Sequence, residues 1–119
     1  MPDGPHYALE KFDQAIRYLA IGAGDIRTRL AMAGPEILYV REEQVPVELR
    51  EDFAGLVRTL TKRPPRFPSQ SPLQATLHGM HRTTGVRIAE QILFLRYLLW
   101  SHLQPSVDPP PTPGRASAA

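Results

Sequence analysis

Apolar residues recur every three or four positions along this chain, and strand-like alternation of useful length does not occur. Leu9, Phe12, Ile16, Leu19 and Ala20 share one side of a helix predicted over residues 7–20, with Glu10, Lys11, Asp13, Gln14 and Arg17 on the other. Gly22-Ala23-Gly24 ends that helix, and Asp25 is placed to cap the next. The second helix carries Ile26, Leu30 and Ala33 as far as Gly34-Pro35. There proline's ring and missing N–H predict an interruption, followed by a short turn over residues 36–40. A third helix opens at Pro46 with Glu48, Glu51 and Asp52 at its positive end. Leu49, Phe53, Leu56, Val57 and Leu60 form its stripe, and Lys62 and Arg63 close its negative end.

The proline-rich run 64–72 reads as a linker or long loop. Beyond it, Leu73, Leu77 and Met80 mark a fourth helix, and Ile88, Ile92, Leu95 and Leu99 a fifth. A break at Thr83-Thr84-Gly85 is expected between them, although the stripe passes Thr84 without a phase jump and one long helix is the alternative. The pattern predicts an all-α domain over residues 1–104, a small bundle of four or five helices. Residues 105–119 contain five of the thirteen prolines and only Val107 as an apolar side chain larger than alanine. Such a segment buries too little surface to offset its ordering entropy, so a disordered tail is expected there.

The helix over residues 86–103 is the most apolar of the set. On a wheel, Ile88, Ile92, Leu95, Leu99 and Leu103 make the core stripe, which Ala89, Trp100, Leu93, Val86 and Tyr97 widen to roughly 200°. Phe94 and Leu98 fall on the far side as an i, i+4 pair, and Arg96 lies inside the apolar arc. A one-sided surface helix needs only about 100° of apolar arc. The excess predicts an interface formed by Phe94, Tyr97, Leu98 and Trp100, with Arg96 stacking on the indole or reaching a partner's acid. A homodimer is the simplest such assembly, because twofold symmetry is the commonest.

Charge adds a second candidate. Residues 1–52 carry ten acids and six bases, a net of −4, whereas residues 53–119 carry eight bases and two acids, a net of +6. No acid occurs between Phe53 and Ala89, while Arg58, Lys62, Arg63, Arg66, Arg82 and Arg87 all do. Two expectations compete for these cations: pairing with Glu42, Glu43, Glu48, Glu51 and Asp52 within the fold, or binding a phosphate backbone or an acidic protein. A helix start at Thr84-Gly85, flanked by Arg82 and Arg87, would offer an anion pocket. His78 and His81 fit one helical face, but no third ligand is near, so no metal site is expected.

Other chemistry is thinly represented. The chain has no cysteine, which excludes disulfides and thiolate sites and agrees with a reducing cytoplasm. The first residues lack the pattern of a secretory signal, and no apolar run reaches the ~20 residues of a membrane span. Gly22-Ala23-Gly24-Asp25 follows a helix rather than a strand and reads as a helix connection, not a phosphate loop. Ser69, Ser71 and Ser101 have no nucleophile-elbow context, and no cofactor motif is present. The expectation is a non-catalytic interaction module that self-associates or docks a protein partner, with a nucleic-acid-binding regulator as the alternative.

The stretches Gly24-Asp25-Ile26-Arg27-Thr28-Arg29-Leu30 and Thr84-Gly85-Val86-Arg87-Ile88-Ala89-Glu90-Gln91-Ile92, with Glu51-Asp52-Phe53 and Leu60-Thr61, carry a family likeness. Over residues 8–103 the chain resembles small uncharacterised bacterial proteins of mobile-element and defence-type gene neighbourhoods. That resemblance implies a bacterial cytoplasmic accessory or regulatory protein, and no activity, ligand or catalytic residue.

Overall fold

The computed structural model describes residues 4–104, so the tail expected over residues 105–119 lies outside the described residues. The described chain is all helical: α1 (Gly4–Ile21), α2 (Ile26–Leu38), α3 (Arg50–Leu60), α4 (Pro72–Leu77) and α5 (Arg82–Leu103). Two single-turn 3-10 segments, Glu42–Gln44 and Val47–Leu49, lead into α3. No strand occurs among the described residues, and none of their helices is long and apolar enough to cross a membrane.

The first two helices form an antiparallel corner dictated by local chemistry. Gly24 adopts φ 92°, a left-handed conformation that side chains disfavour. Asp25 then accepts the Thr28 backbone N–H at 3.1 Å and caps α2. Arg29 reaches back across the corner, donating to the carbonyls of Gly24 at 3.0 Å and Leu19 at 3.2 Å. These satisfy acceptors that the end of α1 would otherwise leave open.

Helix α2 does not stop at Gly34-Pro35; it continues to Leu38. Three features make this tolerable. Gly34 has no Cβ to collide with the proline ring that follows. The carbonyl of Ala31, which Pro35 cannot serve, belongs to an exposed residue. Pro35 itself accepts the Tyr39 N–H at 3.1 Å and so closes the last turn. Gly34 also lets α4 approach, because a Cβ there would stand 2.7 Å from a Leu73 methyl.

The break expected at Thr83-Thr84-Gly85 lies instead at residues 78–81, between α4 and α5. Gly79 turns the chain at φ 81°, and Met80 folds its side chain into the core behind it. Helix α5 starts at Arg82 and runs unbroken to Leu103.

The core joins all five helices: Ala8, Phe12 and Ala15 from α1, Leu30, Ala33 and Ile37 from α2, Phe53, Leu56 and Leu60 from α3, Leu73 and Leu77 from α4. Ile88, Ile92, Leu95 and Leu99 complete it from α5, as the periodicity predicts. Phe12 and Phe53 meet tilted, with ring centroids 6.3 Å apart, and tie α1 to α3. Gly85 is buried where α5 crosses α2, and a Cβ there would lie 2.9 Å from Ile26 Cγ2. Ile26 is β-branched and cannot swing aside cheaply. We expect Gly85→Val to destabilise the fold by about 1–3 kcal/mol through overpacking, read from urea unfolding followed by circular dichroism.

Candidate interaction surfaces

Two surfaces of different chemistry emerge. The first runs along α5. Val86, Leu93, Phe94, Tyr97 and Trp100 are each between 41% and 57% exposed and make up five of the ten large apolar side chains exposed among the described residues. Tyr97 and Trp100 lie with ring centroids 6.4 Å apart. Beside them, Ile16, Leu19 and Ala20 of α1, Ile26 of α2, and Val86, Ala89 and Leu93 of α5 line an apolar groove of about 280 Å³, with Glu90 on its lining.

Two residues expected on this surface are placed differently. Leu98 is half-buried and packs against the core rather than facing outward with Phe94. The bundle wraps further round α5 than a single stripe implies. Arg96 forms an ion pair within the chain, its Nε 2.7 Å from Asp13 Oδ1 on α1. It therefore neither stacks freely on Trp100 nor stands wholly available to a partner. The surface gains Val86 and Leu93, together with the α1 residues that flank them. The wide apolar arc of α5 pointed to the first two, whereas nothing local pointed to Ile16 or Leu19.

The second surface surrounds the proline-rich loop. Residues 62–71 are not an unstructured linker but a loop that bonds to itself and to α4. The Arg63 N–H donates to the buried Thr76 hydroxyl at 3.0 Å, and that hydroxyl donates to the Pro72 carbonyl at 2.8 Å. The Arg66 N–H donates to Gln70 Oε1 at 2.8 Å, and the Gln70 N–H to the Phe67 carbonyl at 3.0 Å. Ser71 and Gln74 close a reciprocal cap at the start of α4, with bonds of 2.8 and 3.0 Å.

Three concavities open around this loop. A wide-mouthed cleft of about 870 Å³ is lined by Asp25, Arg27, Phe67, Gln70, Gln74 and His78, among others. A hollow of about 300 Å³ lies between Arg63, Arg66, Gln70 and His78. A third, of about 190 Å³, is bounded by Lys62, Arg63, Thr76, His81 and Thr84. His78 and Gln70 are shared by the first two, Arg63 by the last two and Gly79 by the first and third, so the three adjoin.

The six cations of the basic segment are thus split. Lys62, Arg63 and Arg66 gather at the loop, whereas Arg58 lines a separate hollow with Leu38, Val40, Glu42 and Phe53. Arg82 and Arg87 are exposed on the first turns of α5, outside all these concavities. Among the described residues none of the six has a carboxylate within 4 Å, which overturns the expected pairing with the acidic front. The reason is the polarity of α3. Glu48, Glu51 and Asp52 precede or occupy its first turn, Lys62 and Arg63 follow its last, and 11 helical residues hold the two ends about 16 Å apart.

Two smaller expectations are also corrected. Gly85 offers no anion pocket, because its N–H already donates to the His81 carbonyl at 3.1 Å and its Cα is buried against α2. His78 and His81 do not share a helical face: one ends α4 and the other precedes α5, both in extended backbone. No cluster of three or more metal-ligating residues occurs among the described residues.

The single carboxylate of the cleft, Asp25, is already committed. It accepts the Thr28 N–H and pairs with Arg27 Nη2 at 3.2 Å. The Thr28 bond first, and the Arg27 contact second, hold its carboxyl below the usual aspartate range. A depressed pKa adds stability above the unfolded-state value, and that stability is lost as pH falls through the folded one. We therefore expect Asp25→Ala to lower the melting temperature at neutral pH, with the gap from the parent narrowing in acid as the parent's Asp25 takes up a proton. Thr76→Val is expected to cost about 1–3 kcal/mol by stranding the Arg63 N–H, measured by urea unfolding.

Comparison with protein-family models, with curated proteins and with solved structures returns no match.

Proposed function

We propose that this protein is a non-catalytic interaction module that self-associates through α5. The observation that carries the reading is the concentration of exposed apolar side chains on that helix, next to an apolar groove. Isolated exposed apolar residues are ordinary, but a continuous face of them is characteristic of an interface.

The pattern on that face favours a second copy as the occupant. At 100° per residue, Val86, Ala89, Leu93, Tyr97 and Trp100 fall within about 80° of one another. They are also symmetric in sequence about Leu93: Val86 and Trp100 lie equally far from it, as do Ala89 and Tyr97. Two copies of α5 running antiparallel across a twofold axis at Leu93 would set Trp100 on Val86 and Tyr97 on the small Ala89. Each copy's aromatic ridge then fills its neighbour's groove, as a self-complementary interface requires. The same register brings Glu90 of one copy towards Arg96 of the other. Arg96 spends only part of its guanidinium on Asp13 and keeps donors for a second acid.

The test is solution mass by light scattering, followed by substitution at the axis. The parent chain is expected to run as a dimer that resists salt, and Leu93→Asp as a monomer with unaltered helical content, since Leu93 is exposed. Because the chain has no cysteine, Leu93→Cys is expected to cross-link on oxidation while Arg87→Cys, exposed on the other side of α5, does not. A monomeric parent, or a Leu93→Asp variant of unchanged mass, would remove the proposal.

A second reading is nucleic-acid binding through the basic segment. It is favoured by the absence of any carboxylate partner for its six cations among the described residues. Uncompensated arginines and lysines are the ordinary means of holding phosphates.

A further inference from the structure

We infer that the cleft between the proline-rich loop, the start of α2 and the end of α4 binds single-stranded nucleic acid, with Phe67 as its stacking platform. The inference rests on the nucleic-acid reading of the basic segment and narrows it to one site and one strand form.

The polar side chains that line the cleft and its two adjoining hollows are mostly donors. Among the described residues, Lys62, Arg63 and Arg66 have no carboxylate within 4 Å, and His78 sits where the cleft and one hollow meet. Gln70 and Gln74 have their side-chain oxygens engaged by the Arg66 and Ser71 N–H groups, which fixes both side chains and leaves their amide N–H₂ groups as donors. Asp25, the one acid in the lining, is occupied by Thr28 and Arg27. A ligand for such a surface is anionic and rich in acceptors.

Phe67 decides what kind of anion. It is 54% exposed on a loop stiffened by Pro64, Pro65 and Pro68, and it lines the cleft together with Ala31, Leu77 and several polar side chains. An exposed aromatic beside uncompensated cations is the pairing that single-strand binders use, the ring for a base and the cations for the backbone. An acidic peptide would satisfy the cations but offers Phe67 no planar partner. A duplex is disfavoured by shape, since its bases are already stacked on each other and a concave site does not enter a groove. The loop's bonds to Thr76 and within itself hold these groups in place before any ligand arrives.

The experiment is an anisotropy titration of the full chain against a labelled oligothymidylate and against the same strand paired with its complement. The single strand is expected to bind more tightly than the duplex, with a log–log salt slope of roughly −0.7 per phosphate contact. Phe67→Ala is expected to weaken single-strand binding about tenfold. Arg63→Ala with Arg66→Ala should weaken it and flatten the salt slope, while Arg17→Ala, exposed on α1 and outside the basic segment, should leave it unchanged. Phe67 and Arg66 are exposed, and unchanged melting curves establish that these variants fold. Equal binding of duplex and single strand, insensitive to Phe67→Ala and as sensitive to Arg87→Ala as to the loop arginines, would overturn the cleft yet keep the nucleic-acid reading. No binding to either nucleic acid at low salt would overturn both. Tight binding of polyglutamate instead, unaffected by Phe67→Ala, would assign the surface to an acidic protein and overturn the inference.

Discussion

The close crossing of α2 and α5 at Gly85 is the constraint from which the rest of the arrangement follows. Absence of a side chain there lets Ile26 and Leu30 settle against the α5 backbone, and any Cβ would have to displace a stiff, β-branched neighbour. That contact fixes where α5 lies relative to α2. The corner built by Gly24, Asp25 and Arg29 fixes α1 relative to α2. Together they set the groove between α1 and α5. Ile26 and Leu30 form one side of this contact and Gly85 the other.

With α5 fixed, one of its faces supplies core and another is left over. The Arg96–Asp13 pair bridges α5 to α1 at the boundary between the two. Both partners are partly exposed, so the pair contributes only about 0–1 kcal/mol. Its value lies in orientation, since it holds a charged group at the edge of an apolar face where register can be read. The leftover face is wide because the bundle is small. Four short neighbours cannot cover a helix that is apolar over so much of its circumference.

Charge segregation has a separate origin. Helix α3 carries acids at its start and cations beyond its end, the arrangement its own dipole favours. The same arrangement keeps them from neutralising each other. The proline-rich loop then carries Arg63 and Arg66 outward and is tied down by Thr76, so the cations are displayed rather than folded inward. An ordinary preference of helix ends thereby becomes a basic surface.

Periodicity and end signals in the sequence were enough to determine an all-helical bundle of four or five helices, the core stripe of α5, the cap at Asp25 and the basic character of residues 58–87. These are local properties, written in the spacing of neighbouring residues. Gly79 was a local signal too, a left-handed helix stop overlooked beside the more prominent Thr83-Thr84-Gly85. Other features were decided only in three dimensions. Pro35 stays helical because a glycine precedes it and the Ala31 carbonyl it cannot serve belongs to an exposed residue, and Leu98 turns inward because the bundle curls around α5. Arg27 joins Phe67 and His78 at one cleft, and Ile16 joins Leu93 at one groove, across dozens of residues of chain. Spacing along a chain records which face a residue takes on its own helix. Which other helix meets that face, and which part of it is left uncovered, depends on packing between distant segments.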